Sequence, residues 1–289
     1  MLVTGLQGFT GEHLGALLVQ AGYRVVGLVS GAPRNADEYL VDMRDAAAVR
    51  AAVQTVQPDY AVHLAAISHV AHGDTAEIYD VNVKGTRHLV EALAAQPRPV
   101  KKLLLASSGN LYGDIGAQPI GEDTPIRPQN DYGQSKQAAE EVVRSAGVPA
   151  VIARPFNYTG VGQNPAFVVP KLVSAFRRGE RRLKLGDIDT VRDFSDVRWM
   201  VQAYMGLLEV DFTGTVNVCS GRGTRIRDVL SALERLAGYR METEVDPAFL
   251  RSNEIRHLVG SPTRLEGLVK LPPRPALAET LEWMYRAPA

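Results

Sequence analysis

Short blocks of apolar residues alternate with helical stripes along most of the chain. Leu2-Val3-Thr4 reads as a buried strand, and residues 12–20 read as the first helix. The runs at 23–29, 59–66, 100–106 and 148–153 read as further strands. A third short strand ends in Val41-Asp42-Met43-Arg44-Asp45, where Asp45 is placed to cap a helix over 46–56. Residues 78–95 predict one long helix containing Asn82, which there either faces solvent or satisfies the backbone of a neighbour. This alternation predicts an α/β fold, a Rossmann-type doubly wound parallel sheet. Beyond it, 167–179 carries Val168-Val169, Leu172-Val173 and Phe176 at helical spacing. Asp196 stands at the start of another helix, 226–236 is amphipathic, and Pro272-Pro273-Arg274-Pro275 turns into a last helix over 276–285. A smaller C-terminal substrate lobe, interleaved with the sheet, is the expected result. The sheet domain would take 1–155, with 190–220 returning to it, and the lobe 156–189 and 221–289.

Composition narrows the function classes. The 289 residues include 32 basic and 32 acidic ones, so no general field draws nucleic acid or an anionic membrane. No apolar run approaches the ~20 residues of a membrane span. The single cysteine, Cys219, excludes an internal disulfide and suits a reducing cytoplasm. The chain opens directly on a strand-like Met-Leu-Val-Thr, so no signal peptide is expected, and the shortness of that strand suggests missing upstream residues. Six scattered histidines make no metal-ligand cluster, so His69 reads as a polar substrate-edge residue and no metal is expected.

Chemistry enters at the first turn. Gly5-Leu6-Gln7-Gly8-Phe9-Thr10-Gly11 lies between a strand and a helix, the arrangement that binds a dinucleotide. Gly5 permits the tight turn, Gly8 the approach of a pyrophosphate, and Gly11 close helix packing. The second strand ends at Ser30 without an acidic residue to read a ribose, and Arg34 follows. Arg34 could hold a 2′-phosphate or could be a solvated loop residue, so NADP(H) and NAD(H) both stay open. Asp42 could accept from an adenine amino group. Leu64-Ala65-Ala66 ends its strand in small residues that let a cofactor pass.

The densest signal is Asp131-Tyr132-Gly133-Gln134-Ser135-Lys136, opening a run of good helix formers. Tyr132 and Lys136, four apart, share a helix face. An adjacent ammonium is expected to lower the phenol's pKa toward neutrality, suiting it to exchange a proton with a carbonyl oxygen. The bland reading is a surface pair. Ser108, at the C-terminal end of the strand over 100–106, is placed to hydrogen-bond the same oxygen, or merely to cap a turn.

With the glycine loop, Leu64-Ala65-Ala66, Ser108, Tyr132 and Lys136 in this order, the whole chain resembles the extended short-chain dehydrogenase/reductases, the NAD-dependent epimerase/dehydratase family. The resemblance implies Tyr132 as acid/base, Lys136 as the residue that tunes it and holds the nicotinamide ribose, and Ser108 as the polarising hydroxyl. Arg154-Pro-Phe-Asn157-Tyr-Thr-Gly160 and Gly186-Asp-Ile-Asp-Thr-Val-Arg192-Asp-Phe194 resemble the diphosphate-binding segments of sugar-nucleotide members. Arg251-Ser-Asn-Glu254 resembles the nucleoside-binding segment of those acting on GDP-linked 6-deoxyhexoses, although a surface salt bridge would read the same. By that resemblance His69, Asn110, Asn157, Val168, Lys184, Arg192, Arg251 and Glu254 would contact substrate. The dehydratases of this branch carry a glutamate base where this chain has Asn110, and an amide is no base at neutral pH. The likeness therefore implies a reductase, converting a GDP-linked 6-deoxy-4-keto sugar, GDP-6-deoxy-4-keto-mannose, to GDP-D-rhamnose. The alternative is a 4,6-dehydratase or epimerase that recycles a tightly bound NAD(P). A homodimer through a four-helix bundle, built from 78–95 and 132–145, is implied by the resemblance alone.

Overall fold

The structure, a computed structural model, describes residues 1–68, 74–117, 119–249 and 254–288. The strands are β1 (Leu2–Thr4), β2 (Val26–Val29), β3 (Glu38–Leu40), β4 (Tyr60–His63), β5 (Lys102–Ala106), β6 (Ala150–Pro155), β7 (Asn157–Thr159), β8 (Arg182–Leu185), β9 (Val191–Asp196), β10 (Gly214–Val218), β11 (Gly223–Arg225), β12 (Glu242–Val245) and β13 (His257–Leu258). The helices are α1 (Phe9–Gln20), α2 (Ala46–Val56), α3 (Thr75–Tyr79), α4 (Gly85–Ala94), α5 (Asp131–Ser145), α6 (Val168–Arg177), α7 (Val197–Glu209), α8 (Ile226–Ala237), α9 (Thr263–Leu268) and α10 (Leu277–Arg286).

Seven strands form one parallel sheet in the order β10-β6-β5-β4-β1-β2-β3. The order reverses between β1 and β4, so a crevice opens at their C-terminal ends, where Gly5 and Leu64 emerge. Leu2, Leu103, Val49, Leu89 and Val143 fill the core under α2, α4 and α5, while Val3, Leu104, Leu14 and Tyr204 fill the one under α1 and α7. This is the doubly wound α/β fold that the alternating pattern predicts.

Around the C-terminal edge, β9 pairs in parallel with β7 and β13 and antiparallel with β11, and β8 pairs with β12. Helices α6, α8 and α10 bury Leu172, Phe176, Leu233 and Met284 against Phe194.

Three local expectations shift. Helix α1 begins at Phe9 rather than at residue 12, because Gly8 takes the extended N-cap conformation and Gly11 lies inside the first turn. Strand β3 ends at Leu40, so Val41 and Asp42 follow the strand. The single helix expected over 78–95 is interrupted by a π-type turn at Asp80–Lys84, in which the Gly85 amide reaches the Asp80 carbonyl. Asn82 is the physical reason: buried, it turns inward to bond neighbouring backbone, and the Thr86 hydroxyl takes its carbonyl at 2.6 Å. The expected caps at Asp45 and Asp196 are present, each carboxylate accepting from helix amides.

Candidate active site

The cofactor end is a cradle that only glycine fits. Gly5 sits at φ +70°, and a Cβ there would stand 2.9 Å from the Ala65 nitrogen; one on Gly11 would collide with the Gly5 carbonyl. Gly8 gives α1 an N-cap without a side-chain partner, leaving its first-turn amides for an anion. A nicotinamide dinucleotide's diphosphate fits that donor set. Phe9 stacks on Tyr158 at 5.9 Å, and Thr10 bonds the Tyr158 hydroxyl at 2.7 Å, tying the cradle to β7. Ser30 is exposed just past β2. Arg34 is exposed too and ion-pairs with Glu12 of α1. Asp42, just past β3, is gripped by Arg44 at 2.7 Å, whose hydrogen bonds hold its carboxyl below the usual range.

The reacting end gathers three elements. Asn130 caps α5, accepting the Gly133 amide at 2.8 Å, and this presents Tyr132 and Lys136 on one buried face. Ser108 follows β5 and caps the short turn Gly109–Tyr112, accepting from the Asn110 amide at 3.1 Å and the Asn110 side-chain nitrogen at 3.3 Å. With both lone pairs taken, its hydroxyl is left to donate on the side of the Tyr132 phenol, whose pKa it draws down. The turn-capping reading of Ser108 holds, and the cap leaves its hydroxyl proton free to donate.

The electrostatics correct one expectation. Burial pushes the Tyr132 phenol up to about 12, and the Ser108 hydrogen bond pulls the other way without overcoming it. The Lys136 ammonium donates to the Ala106 carbonyl at 2.8 Å and lies 6.0 Å from the tyrosine ring centre. Burial pushes Lys136 itself down to about 8, with Glu140 opposing.

Toward the second sheet, Asn157 pairs in register with Phe194, so it faces the same side as Arg192 two residues earlier. The Asn157 side-chain amide oxygen is buried with no hydrogen-bond partner among the described residues. Arg192 and Glu254 are brought together at 2.5 Å. Val168 opens α6, and exposed Lys184 stands 3.8 Å from Asp246. Arg154 lies buried in β6 in a bidentate pair with Glu140 at 2.7 and 2.8 Å, so its guanidinium is not turned to a ligand. His69 and Arg251 lie outside the described residues.

Sequence reasoning missed the support under these groups. The Ala65 amide donates to the Thr4 hydroxyl at 3.1 Å, Thr4 bonds His63 Nδ1 at 2.7 Å, and His63 Nε2 bonds the Thr86 hydroxyl at 2.9 Å. Thr86 gives its proton to the Asn82 carbonyl, so His63 must donate from Nε2 and accept at Nδ1. The imidazole is held neutral, burial pushing it down to about 3, with the Lys136 charge adding to the effect. Asn82 accepts from the Ile67 amide at 2.8 Å and donates to the Ser135 hydroxyl at 3.0 Å, which bonds the Tyr132 carbonyl. A histidine ending an apolar strand was the available signal.

The NAD dependent epimerase/dehydratase family profile matches residues 1–219. The chain belongs to that family. It is an NAD(P)-dependent enzyme fold with the cofactor cradle described above. It is 34% identical over 295 residues to the GDP-6-deoxy-D-mannose reductase of Pseudomonas aeruginosa, covering 97% of this chain and 94% of the relative. The GDP-6-deoxy-D-talose 4-dehydrogenase of Aggregatibacter actinomycetemcomitans is 30% identical, over 92% of this chain and 89% of its own. Among solved structures, a proposed epimerase of Burkholderia cenocepacia superposes with TM-score 0.91 at 44% identity, over 98% of this chain and 96% of its own. RMD of Pseudomonas aeruginosa, in complex with NADPH, superposes with TM-score 0.83 at 31% identity, over 98% of this chain and 97% of its own.

Proposed function

We propose that this enzyme reduces the 4-keto group of a GDP-4-keto-6-deoxyhexose, turning GDP-6-deoxy-4-keto-mannose into GDP-D-rhamnose. The observation that carries the reading is Asn110: where elimination at C5 needs a carboxylate base, this chain holds a side-chain amide, which donates to Ser108 alongside the Asn110 backbone N–H. Bound reduced nicotinamide dinucleotide supplies the hydride. Ser108, its lone pairs occupied, donates to the C4 oxygen. Tyr132, protonated through neutral pH, delivers the proton to that oxygen, and the Lys136 charge compensates the phenolate left behind. Arg192, with Glu254 beside it, takes the diphosphate and nucleoside end, and the unpartnered Asn157 oxygen accepts a hydroxyl of the same ligand. The GDP-sugar names of two relatives support the choice of substrate.

The deciding experiment supplies GDP-4-keto-6-deoxymannose with NADPH or NADH. Stoichiometric loss of absorbance at 340 nm is expected, whereas a cofactor-recycling epimerase or dehydratase gives no net change. NMR of the product separates rhamnose from talose, which differ at C4. Tyr132→Phe should lower turnover at least ~10²-fold with cofactor affinity little changed.

The same proposal includes pairing of two copies across α4 and α5, which pack side by side in the chain. Light scattering at the dimer mass checks it. Among the described residues no helix is long and apolar enough to cross a membrane. A cytoplasmic setting is proposed from Cys219, a single buried free thiol, and fractionation tests it.

A further inference from the structure

Ser108 and the Tyr132/Lys136 pair belong to different elements, and neither β5 nor α5 alone fixes the distance between them. A single buried carboxylate spans that gap. Glu140 lies one turn beyond Lys136 on α5, its side chain 2% exposed. Its Oε1 accepts from the Ser107 hydroxyl at 2.6 Å and from Arg154 Nε at 2.8 Å. Its Oε2 accepts from Arg154 at 2.7 Å and from Arg144 at 3.0 Å.

Residues 106 and 107 therefore bond α5 at two successive turns, the Ala106 carbonyl to Lys136 and Ser107 to Glu140, with Ser108 next to them toward Tyr132. Arg154 extends the lock by donating to the Tyr112 hydroxyl at 2.9 Å, at the far end of the turn that Ser108 caps. The guanidinium of Arg154 already neutralises the Glu140 charge through two hydrogen bonds. What the Ser107 hydroxyl adds is direction: it fixes the side chain directly before Ser108 against α5.

We propose that Ser107 is a positioning residue, which through Glu140 holds the Ser108 hydroxyl at working distance from Tyr132. The proposal rests on the catalytic reading of Ser108 and Tyr132 given above. A misplacement of about 1 Å at a reacting group can cost ~10²-fold in rate, so the effect is measurable.

The test is a double-mutant cycle of Ser107→Ala and Ser108→Ala, read by NADPH-dependent turnover of GDP-4-keto-6-deoxymannose, by NADPH affinity and by thermal melting. Ser107→Ala should lower kcat at least ~10-fold, with KM and NADPH affinity within about twofold of the parent. In the Ser108→Ala background it should cost almost nothing further, because the hydroxyl it aims is gone. Ser107→Gly removes the same hydroxyl and must behave alike if the alanine variant folds poorly. Turnover of Ser107→Ala within twofold of the parent overturns the proposal, as does a loss that multiplies with that of Ser108→Ala. Full turnover in Ser108→Ala itself overturns the catalytic reading and the tether together, which is a distinct result from failure of the tether alone.

Discussion

The Lys136 ammonium lies one helical turn from Tyr132, yet it bonds the Ala106 carbonyl at 2.8 Å and stays 6.0 Å from the tyrosine ring centre. Burial keeps the proton on the phenol through neutral pH, as the proposed ketone reduction requires of its proton donor. The lysine serves it through space as a fixed charge, and that charge is itself titratable because burial pushes it down to about 8.

A pH profile follows from this. Reductive turnover needs both Tyr132 and Lys136 protonated, so activity is retained below the lower of the two values and lost as pH rises through it. The limb should appear near pH 8, from Lys136, because Tyr132 is pushed up to about 12. Glu140 works to keep the lysine charged. Initial rates at saturating substrate between pH 6 and 10 measure it. Lys136→Arg, whose guanidinium stays charged, should carry the limb upward. A flat rate through pH 9.5 in the parent enzyme excludes Lys136 as the charge that matters.

Asn110 offers a more local check. Its two nitrogens fill the lone pairs of Ser108 and leave the serine proton for the substrate oxygen. Asn110→Asp replaces the side-chain donor by an acceptor that competes for that proton. Turnover should drop at least ~10-fold while GDP affinity changes little, since a hydrogen bond from Ser108 to the charged aspartate is worth about 1.5–3 kcal/mol and must be broken to serve the substrate. An aspartate variant as fast as the parent removes Asn110 from the orientation of Ser108.

Arg192 and Glu254 meet at 2.5 Å, and both are largely buried. A diphosphate arriving at the guanidinium shares or displaces that carboxylate, and the guanidinium's fork suits it for the exchange. Arg192→Ala should weaken GDP binding at least ~10-fold by calorimetry, as expected for removing a charge-assisted contact. Equal affinity would place the diphosphate elsewhere.

The sheet was legible in the chain because its strands are buried on both faces and read as plain apolar runs, and because glycine at the first turn has few other uses. Asp45 and Asp196 show that caps, too, are written locally. What could not be read is what depends on meeting across the fold. For Asn82 the sequence leaves open facing solvent or satisfying a neighbour's backbone; the second holds, through Ile67, but the π-type turn that goes with it is not written in the helical pattern. The acidity of Tyr132 is hidden because burial, which pushes the phenol up, exists only in the assembled site. Spacing along a helix puts Lys136 on the right face, but the Ala106 carbonyl, from another element, decides where its ammonium goes. Arg154 looked like part of a ligand-binding segment until Glu140, fourteen residues earlier, was found to hold it.

His63 makes the sharpest prediction about stability. The relay from Thr4 to Thr86 has a donor for every acceptor only when the imidazole is neutral, and burial pushes it down to about 3. Its unfolded value is near 6.5, so between those values the unfolded chain binds a proton that the folded chain refuses. Stability from this group is therefore intact above pH 6.5 and declines as pH falls toward 3. Between pH 7 and pH 5 the loss amounts to about 2 kcal/mol, of the order of 1.4 kcal/mol per pH unit once below 6.5. Urea unfolding at the two pH values, in the parent and in His63→Asn, measures it. The asparagine variant should start less stable but lose less on acidification, by roughly that 2 kcal/mol. Nitrogen-15 shifts of the parent ring should report the Nε2–H tautomer at both pH values. Parallel acid dependence in the two proteins would mean that His63 is not the group that resists protonation.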